Sequence, residues 1–301
     1  MKPLVTVIIC TYNRGDLLTE TIPTILRQNI SVEYFDVMIV DNNSTDNTQK
    51  VIKTFVENNI NLSSIKEAQQ GVSFARNAGY KKTKTDWVIF LDDDAKTPDN
   101  FVETALNIIN SNKYNCFGGV YYPWYKYGKP KWFKDRYVST AEFYNKKDYH
   151  KLTYASAGIM AIKRSLLKEF GGFSKNLGPK GDKMSYGEET HLQDRLLKKG
   201  NSIGIFPNWY IYHIVNENKL NFSWFLNNGY ATGRDFWIIY NEKVSLKLLI
   251  GYSKNIIKSI FQNTALLFKE NYYIQNWTAE TIRTIAFEFG RIISGLKLLA
   301  K

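Results

Sequence analysis

Residues 86–94 read DWVIFLDDD, an apolar run closed by three consecutive carboxylates. The run has the length and composition of a strand buried on both faces, as in a parallel sheet covered by helices. Asp92, Asp93 and Asp94 therefore stand where that strand leaves the sheet. Three adjacent aspartates repel one another and lose hydration if they are enclosed without a cation. A divalent ion removes the conflict, and hard oxygen ligands select Mn²⁺ or Mg²⁺, which keep open positions for phosphate oxygens. While the chain stays extended, Asp92 and Asp94 point the same way, so one can reach a ribose or a water while the other takes the metal. The plainer reading is a solvated acidic turn.

Around this stretch, the first 110 residues alternate strands and helices. Residues 4–10 and 35–40 read as two further strands, and residues 16–28, 73–82 and 98–110 as helices, with another running to residue 55 from Ser44 as its N-cap. Pro23 falls inside the first helix, where it should cost about 3 kcal/mol or introduce a kink. This alternation implies right-handed crossovers, an α/β doubly wound and mostly parallel sheet, and ligands outside the carboxyl ends of its strands. Thr11-Tyr12-Asn13-Arg14, Asp41-Asn42-Asn43 and the aspartate triplet each follow a strand, so the three sets converge on one edge.

The chain has no G-x-x-x-x-G-K-[ST] and no strand-linked G-x-G-x-x-G, which disfavours P-loop enzymes, kinases and nicotinamide dehydrogenases. Phosphate charge then falls to a metal and to side chains such as Arg76. No segment approaches the roughly 18 uninterrupted apolar residues of a membrane span. Residues 4–10 run straight into polar residues without a small-residue cleavage site, so they read as a strand and not as an export signal. Cys10 and Cys116 offer neither a disulfide framework nor metal-ligand spacing, which suits a reducing cytoplasm. The net charge of +12 is unevenly placed: residues 1–110 hold 11 Lys/Arg against 14 Asp/Glu, whereas residues 111–301 hold 29 against 14. The basic excess suits an anionic partner such as a membrane surface, a lipid phosphate or nucleic acid, or else is a solvated lysine-rich surface.

Four blocks in order, VTVIICTYNR, VDNNSTDNT, GVSFARNAGY and FLDDDAKTPDNF, resemble glycosyltransferase family 2, whose members have the GT-A fold; the likeness runs over residues 4–235. The resemblance implies an inverting, metal-dependent transfer of a sugar from a nucleotide diphosphate, usually of uridine, to an acceptor hydroxyl in cell-surface polysaccharide or glycoconjugate assembly. It implies that Thr11, Tyr12, Asn13 and Arg14 line the nucleoside pocket, that Asp41 bonds the base, and that Arg76 lies near donor phosphate or sugar. Asp92 and Asp93 would then face the nucleotide sugar, with Asp94 on the metal. Residues 156–200 resemble the acceptor-side block, where a Glu-Asp pair is expected and Glu188-Glu189 stands instead. Glu189 is the expected general base, Glu188 its acceptor-side or structural partner, and Asp182 the reserve candidate. Alone, two acids at a helix start would only favour the macrodipole. A lone histidine after a strand is more often a packed core residue, yet by the resemblance His213 completes the metal shell or touches pyrophosphate. Lys219 and Arg234 match family positions that carry basic residues near phosphate. The competing readings are a nucleotidyltransferase, which would carry a basic glycine-rich loop near residues 11–16, and a non-catalytic sugar- or nucleic-acid-binding protein on a degenerate scaffold.

The expected organisation is a catalytic domain over residues 1–240, with a nucleotide-binding half at 1–110 and an acceptor-binding half at 111–240, then a C-terminal helical extension at 241–301. Aromatic residues crowd positions 121–137, where they suit sugar faces, a membrane interface, single-stranded nucleic acid or a packed loop. In the tail, Ile282, Ile285, Phe289, Ile292, Ile293 and Leu296 form one apolar stripe, with Arg283, Glu288, Arg291 and Lys297 off it. Such a stripe packs on its own protein, pairs with a second copy in a homo-oligomer, or lies on an anionic membrane near a lipid-linked acceptor. The expected partners are a nucleotide-sugar donor and a saccharide or lipid-linked saccharide acceptor, without nucleic acid. The expected place is the cytoplasm, peripherally on the inner face of the plasma membrane.

Overall fold

The structure, a computed structural model, describes residues 3–141, 154–181 and 183–300. They fall into two compact units, of which the first takes Met1–Trp124, Val138–Asn176 and Glu188–Ile214. The second takes Tyr125–Tyr137, Leu177–Gly187 and Val215–Lys301, so residue 240 lies inside it.

The first unit runs β1 (Val5–Thr11), α1 (Gly15–Leu26), β2 (Phe35–Asp41), α2 (Thr48–Asn58), β3 (Leu62–Lys66), α3 (Val72–Lys82), β4 (Trp87–Asp92), β5 (Ala95–Lys96) and α4 (Phe101–Asn110). It continues with β6 (Cys116–Trp124), β7 (Ile159–Lys163), α5 (Arg164–Glu169), α6 (Glu188–Lys198) and β8 (Ile203–Ile214). The eight strands form one sheet in the order β3-β2-β1-β4-β7-β6-β8-β5. β3, β2, β1 and β4 are parallel, as are β6 and β8, whereas β7 is antiparallel to both its neighbours and β5 to β8. The expected doubly wound, mostly parallel sheet is thus present, with an antiparallel strand inserted beside β4.

Alternation of side chains along each strand supplies two cores, because the helices cover both faces. On one face Val5, Val7 and Ile9 of β1 pack with Leu18, Ile22 and Ile25 of α1 and Phe101, Val102 and Ala105 of α4. On the other, Ile8 and Phe90 pack with Ala75 of α3, Leu167 of α5 and Leu192 and Leu196 of α6. Each Val, Leu, Ile or Phe among them stabilises the fold by about 1.5–3 kcal/mol when fully buried. α1 continues over Pro23, with the Arg27 N–H donating to the Pro23 carbonyl. Ser44 is not an N-cap: α2 begins at Thr48 after Asn47. The Ser44 N–H donates instead to Asp41 Oδ1 at 2.9 Å, and its Oγ accepts from the Asn13 N–H at 3.0 Å. β3 has no counterpart in the sequence reading, since only Leu62 of its five residues is buried and an edge strand of this kind carries little apolar pattern.

The second unit contains α7 (Phe222–Tyr240), α8 (Leu246–Leu266) and α9 (Ile274–Leu299). α7 and α9 cross closely at glycines: a Cβ on Gly233 would stand 1.9 Å from the Phe287 carbonyl oxygen, and one on Gly229 2.3 Å from that of Arg283. This crossing turns the expected stripe on α9 away from the interior, since none of its six residues is buried. Ala279, Ala286, Gly290 and Gly295 are buried with Glu288 and Arg291, while Phe289 and Leu296 are exposed. Arg291 tolerates burial because it is paired with Glu288 and lies 3.5 Å from the centroid of the Tyr252 ring. Residues 132–137 pack within the second unit, where Phe133 and Tyr137 are buried against Phe225 of α7. No described helix is long and apolar enough to cross a membrane.

Candidate active site

The residues expected to bind donor and metal at the ends of β1, β2 and β4, with Arg76, His213 and the pair Glu188-Glu189, lie in the first unit. β1 pairs with both β2 and β4 in register, Thr11 opposite Asp41 and Cys10 opposite Asp92, which brings the three strand ends level. Thr11 Oγ1 donates to Asp93 Oδ2 at 2.7 Å. Asn13 takes a left-handed backbone, φ 51°, and its side-chain oxygen accepts from the Thr45 N–H at 2.8 Å, so the turn after β1 is locked to the turn after β2. The Arg14 N–H donates to Thr48 Oγ1, and its charge lies close enough to Asp93 to favour the carboxylate there. Tyr12 is half-buried in the same turn. Asp41 uses Oδ1 for Ser44, while its Oδ2 is buried without a hydrogen-bond partner among the described residues. A cavity of about 380 Å³ opens beside Asp41, bounded by α2 and β3. The larger cavity, about 650 Å³, lies at the opposite end of β4 by Trp87 and Lys163, remote from the carboxylates.

The short antiparallel pairing of β5 with β8 sets Ala95 opposite His213, and the Ile214 N–H donates to the Asp94 carbonyl. His213 Nε2 thereby lies 3.2 Å from Asp94 Oδ1. Asp92, Asp94 and His213 each bring one ligand atom within 4.8 Å of the others, a set of two oxygens and one nitrogen that fits a divalent cation. Asp92 thus joins Asp94 and His213 in that set, a position the alternation of one strand could suggest but not fix. Burial, with the charge of Asp94 next, pushes the Asp93 carboxyl up to about 7, the conflict that a cation would relieve. Gly158 is a participant that the sequence reading overlooked: a Cβ there would stand 2.4 Å from Asp92 Oδ2, so the turn before β7 leaves room for that carboxylate only as glycine. Cys10 and Cys116 are free, and burial pushes both thiols up to about 12, which removes them as nucleophiles.

Arg76, expected beside donor phosphate or sugar, is buried on α3 and held between carboxylates. One nitrogen pairs with Glu188, and the other lies 3.4 Å from Asp92 Oδ1. The two glutamates at the start of α6 therefore differ. Glu188 is buried and neutralised by the guanidinium. Glu189 has its Oε2 buried without a hydrogen-bond partner among the described residues, and desolvation followed by the charge of Glu188 pushes its carboxyl up to about 8. Asp182, the reserve candidate, lies outside the described residues. Arg234 belongs to the second unit, where its guanidinium bonds Asp235 and the Met184 carbonyl; Lys219 lies there too, in a short turn before α7.

The sequence profile of glycosyl transferase family 2 matches residues 6–171, more than half the chain. The chain belongs to that family. It is a glycosyltransferase of the GT-A fold, which sets aside the nucleotidyltransferase. Among its relatives, a glucosyl-dolichyl phosphate glucuronosyltransferase of Haloferax volcanii is 25% identical over 249 residues, covering 80% of this chain and 76% of the relative. The poly(ribitol-phosphate) beta-N-acetylglucosaminyltransferase TarP of Staphylococcus aureus is 26% identical over 250 residues, covering 79% and 70%. Among solved structures, the mannosyltransferase PcManGT of Pyrobaculum calidifontis, in complex with GDP-Man and Mn²⁺, superposes with a TM-score of 0.68 at 17% identity, over 97% of this chain and 88% of that one. That likeness is one of fold.

Proposed function

We propose that this glycosyltransferase moves a sugar from a nucleoside diphosphate, UDP by preference, to a hydroxyl of a saccharide or lipid-linked saccharide, with inversion and with a bound Mn²⁺ or Mg²⁺. The observation that carries the reading is the buried guanidinium of Arg76, which ties the carboxylate cluster at the end of β4 to the glutamate pair of α6. On this reading Arg76 holds the donor site and the proton acceptor at fixed range.

Asp94 and His213, with Asp92 beside them, would hold the cation, which would offset charge on the departing diphosphate. The unpartnered Oδ2 of Asp41 suits an N–H donor on the base, and the imide N–H of uracil is such a donor. The locked turn of Thr11, Tyr12, Asn13 and Arg14 lines the nucleoside side, and Asp93 is kept in place by Thr11. Glu189 takes the proton of the attacking hydroxyl as its oxygen bonds the anomeric carbon and the bond from that carbon to the diphosphate oxygen breaks. Attack opposite the leaving group inverts the centre. Glu188 is paired with Arg76, and its charge raises the proton affinity of its neighbour.

Thermal shift and nucleoside diphosphate release over a panel of nucleotide sugars with Mn²⁺ test the reading. UDP-sugars should raise the melting temperature, by the equivalent of about 2.7 kcal/mol at a hundredfold excess over Kd, and EDTA should abolish the shift. Asp94→Ala should abolish it as well. A full shift in Asp94→Ala, or none with any donor, overturns the proposal.

A further inference from the structure

Helix α8 was not singled out by the sequence reading, yet it carries an open apolar face. Leu246, Ile250, Ile257 and Phe261 are 66%, 59%, 60% and 72% exposed. Their spacings of four, seven and four residues put them on one side of a helix of about 3.6 residues per turn. Phe268, just past the helix end, is 91% exposed. The opposite side is the packed one, through Leu249 and Tyr252 against Trp237 of α7.

Charge says what covers the open side. Lys247, Lys254 and Lys258, all exposed, form a second row alongside the apolar one, and residues 246–266 contain no Asp or Glu. Beyond the helix ends, Glu242 with Lys243 and Lys269 with Glu270 balance each other. A two-fold pair of α8 helices would bring lysine rows together with no acid to meet them, so a second copy is disfavoured. A bilayer rich in anionic lipid answers both rows at once: side chains such as Ile257 and Phe261 enter the acyl boundary while the lysines meet headgroup phosphates. No described helix can span a bilayer, so the contact is one-sided.

We propose that α8 docks the protein in-plane on an anionic phospholipid surface. Its exposed row of Leu246, Ile250, Ile257 and Phe261 supplies the insertion, and Lys247, Lys254 and Lys258 supply the attraction. The proposal does not depend on the chemistry of the first unit, and its test contains no nucleotide or acceptor.

The full chain is sedimented with phosphatidylcholine vesicles and with vesicles of phosphatidylcholine plus phosphatidylglycerol. It should partition onto the second and not the first, and high salt should release most of it. Ile257→Ser with Phe261→Ser, and separately Lys254→Glu with Lys258→Glu, should each lower partitioning by about tenfold or more while the melting temperature stays put, because all four side chains are exposed. Phe289→Ser on α9 should leave it unchanged. Absent or lipid-indifferent partitioning of the wild type, or unaltered partitioning of both double variants, overturns the proposal. So does a dimer in light scattering that Ile257→Ser with Phe261→Ser converts to monomer, since a second copy would then cover the stripe.

Discussion

Glu188 and Glu189 share a side-chain chemistry and the first turn of one helix, yet only the first is paired directly with Arg76 while the second keeps a buried Oε2 without a hydrogen-bond partner among the described residues, which is why Glu189 is the proposed base. The Glu189 carboxyl, ordinarily near 4.5, is pushed up to about 8 by desolvation and by Glu188. A base must be ionised to act, so the transfer rate should rise with pH through about 8 and fall below it. Glu189→Gln should lower kcat by roughly 10²–10⁴-fold and leave the donor Kd unchanged. A near-wild-type rate in that variant would move the role to Glu188 or Asp182. Stability supplies a second readout. Because the folded state holds this proton more tightly than the unfolded one, its contribution is present at low pH and is lost as pH rises from about 4.5 through about 8. The melting temperature of Glu189→Gln should therefore gain on that of the wild type over the same range.

β4, β6 and β7 set the positions of these residues through close backbone approaches that only glycine permits. Gly119 sits where the register of β6 against β8 shifts, and a Cβ there would stand 2.0 Å from the Trp209 carbonyl oxygen and 2.5 Å from Ile159 Cδ1. Gly119→Ala should destabilise the fold by about 1–3 kcal/mol or more in chemical denaturation, since backbone and not a flexible side chain must give way. Gly158→Ala presses on Asp92 Oδ2, so its main effect should be weaker Mn²⁺-dependent nucleotide binding in calorimetry, with a smaller loss of stability. Equal donor affinity in Gly158→Ala and wild type would remove Asp92 from the metal set. The packing of α7 on α9 follows the same logic, through Gly229 and Gly233, and it is why large apolar residues on α9 were pushed outward while Glu288 and Arg291 went in.

Across the whole molecule, strand periodicity and the polar residues after β1, β2 and β4 were enough to read the parallel half of the sheet and its ligand edge. They work from sequence because a buried strand must be apolar and its ligand end cannot be, so the change is written locally. The inserted antiparallel β7 and the pairing of β5 with β8 escaped that reading, as they depend on partners far along the chain, and the edge strand β3 escaped it because it carries little apolar pattern. Sequence alone determined that carboxylates stand at a strand end, that two glutamates open a helix, and that a basic helical region follows. Tertiary structure decided that Arg76 joins the first two, that Asp92 stands with Asp94 and His213, and that α8 keeps an open apolar row beside its lysines. The reason is physical: composition and period report which side chains want burial or charge, but which neighbour supplies it is fixed only when distant segments pack.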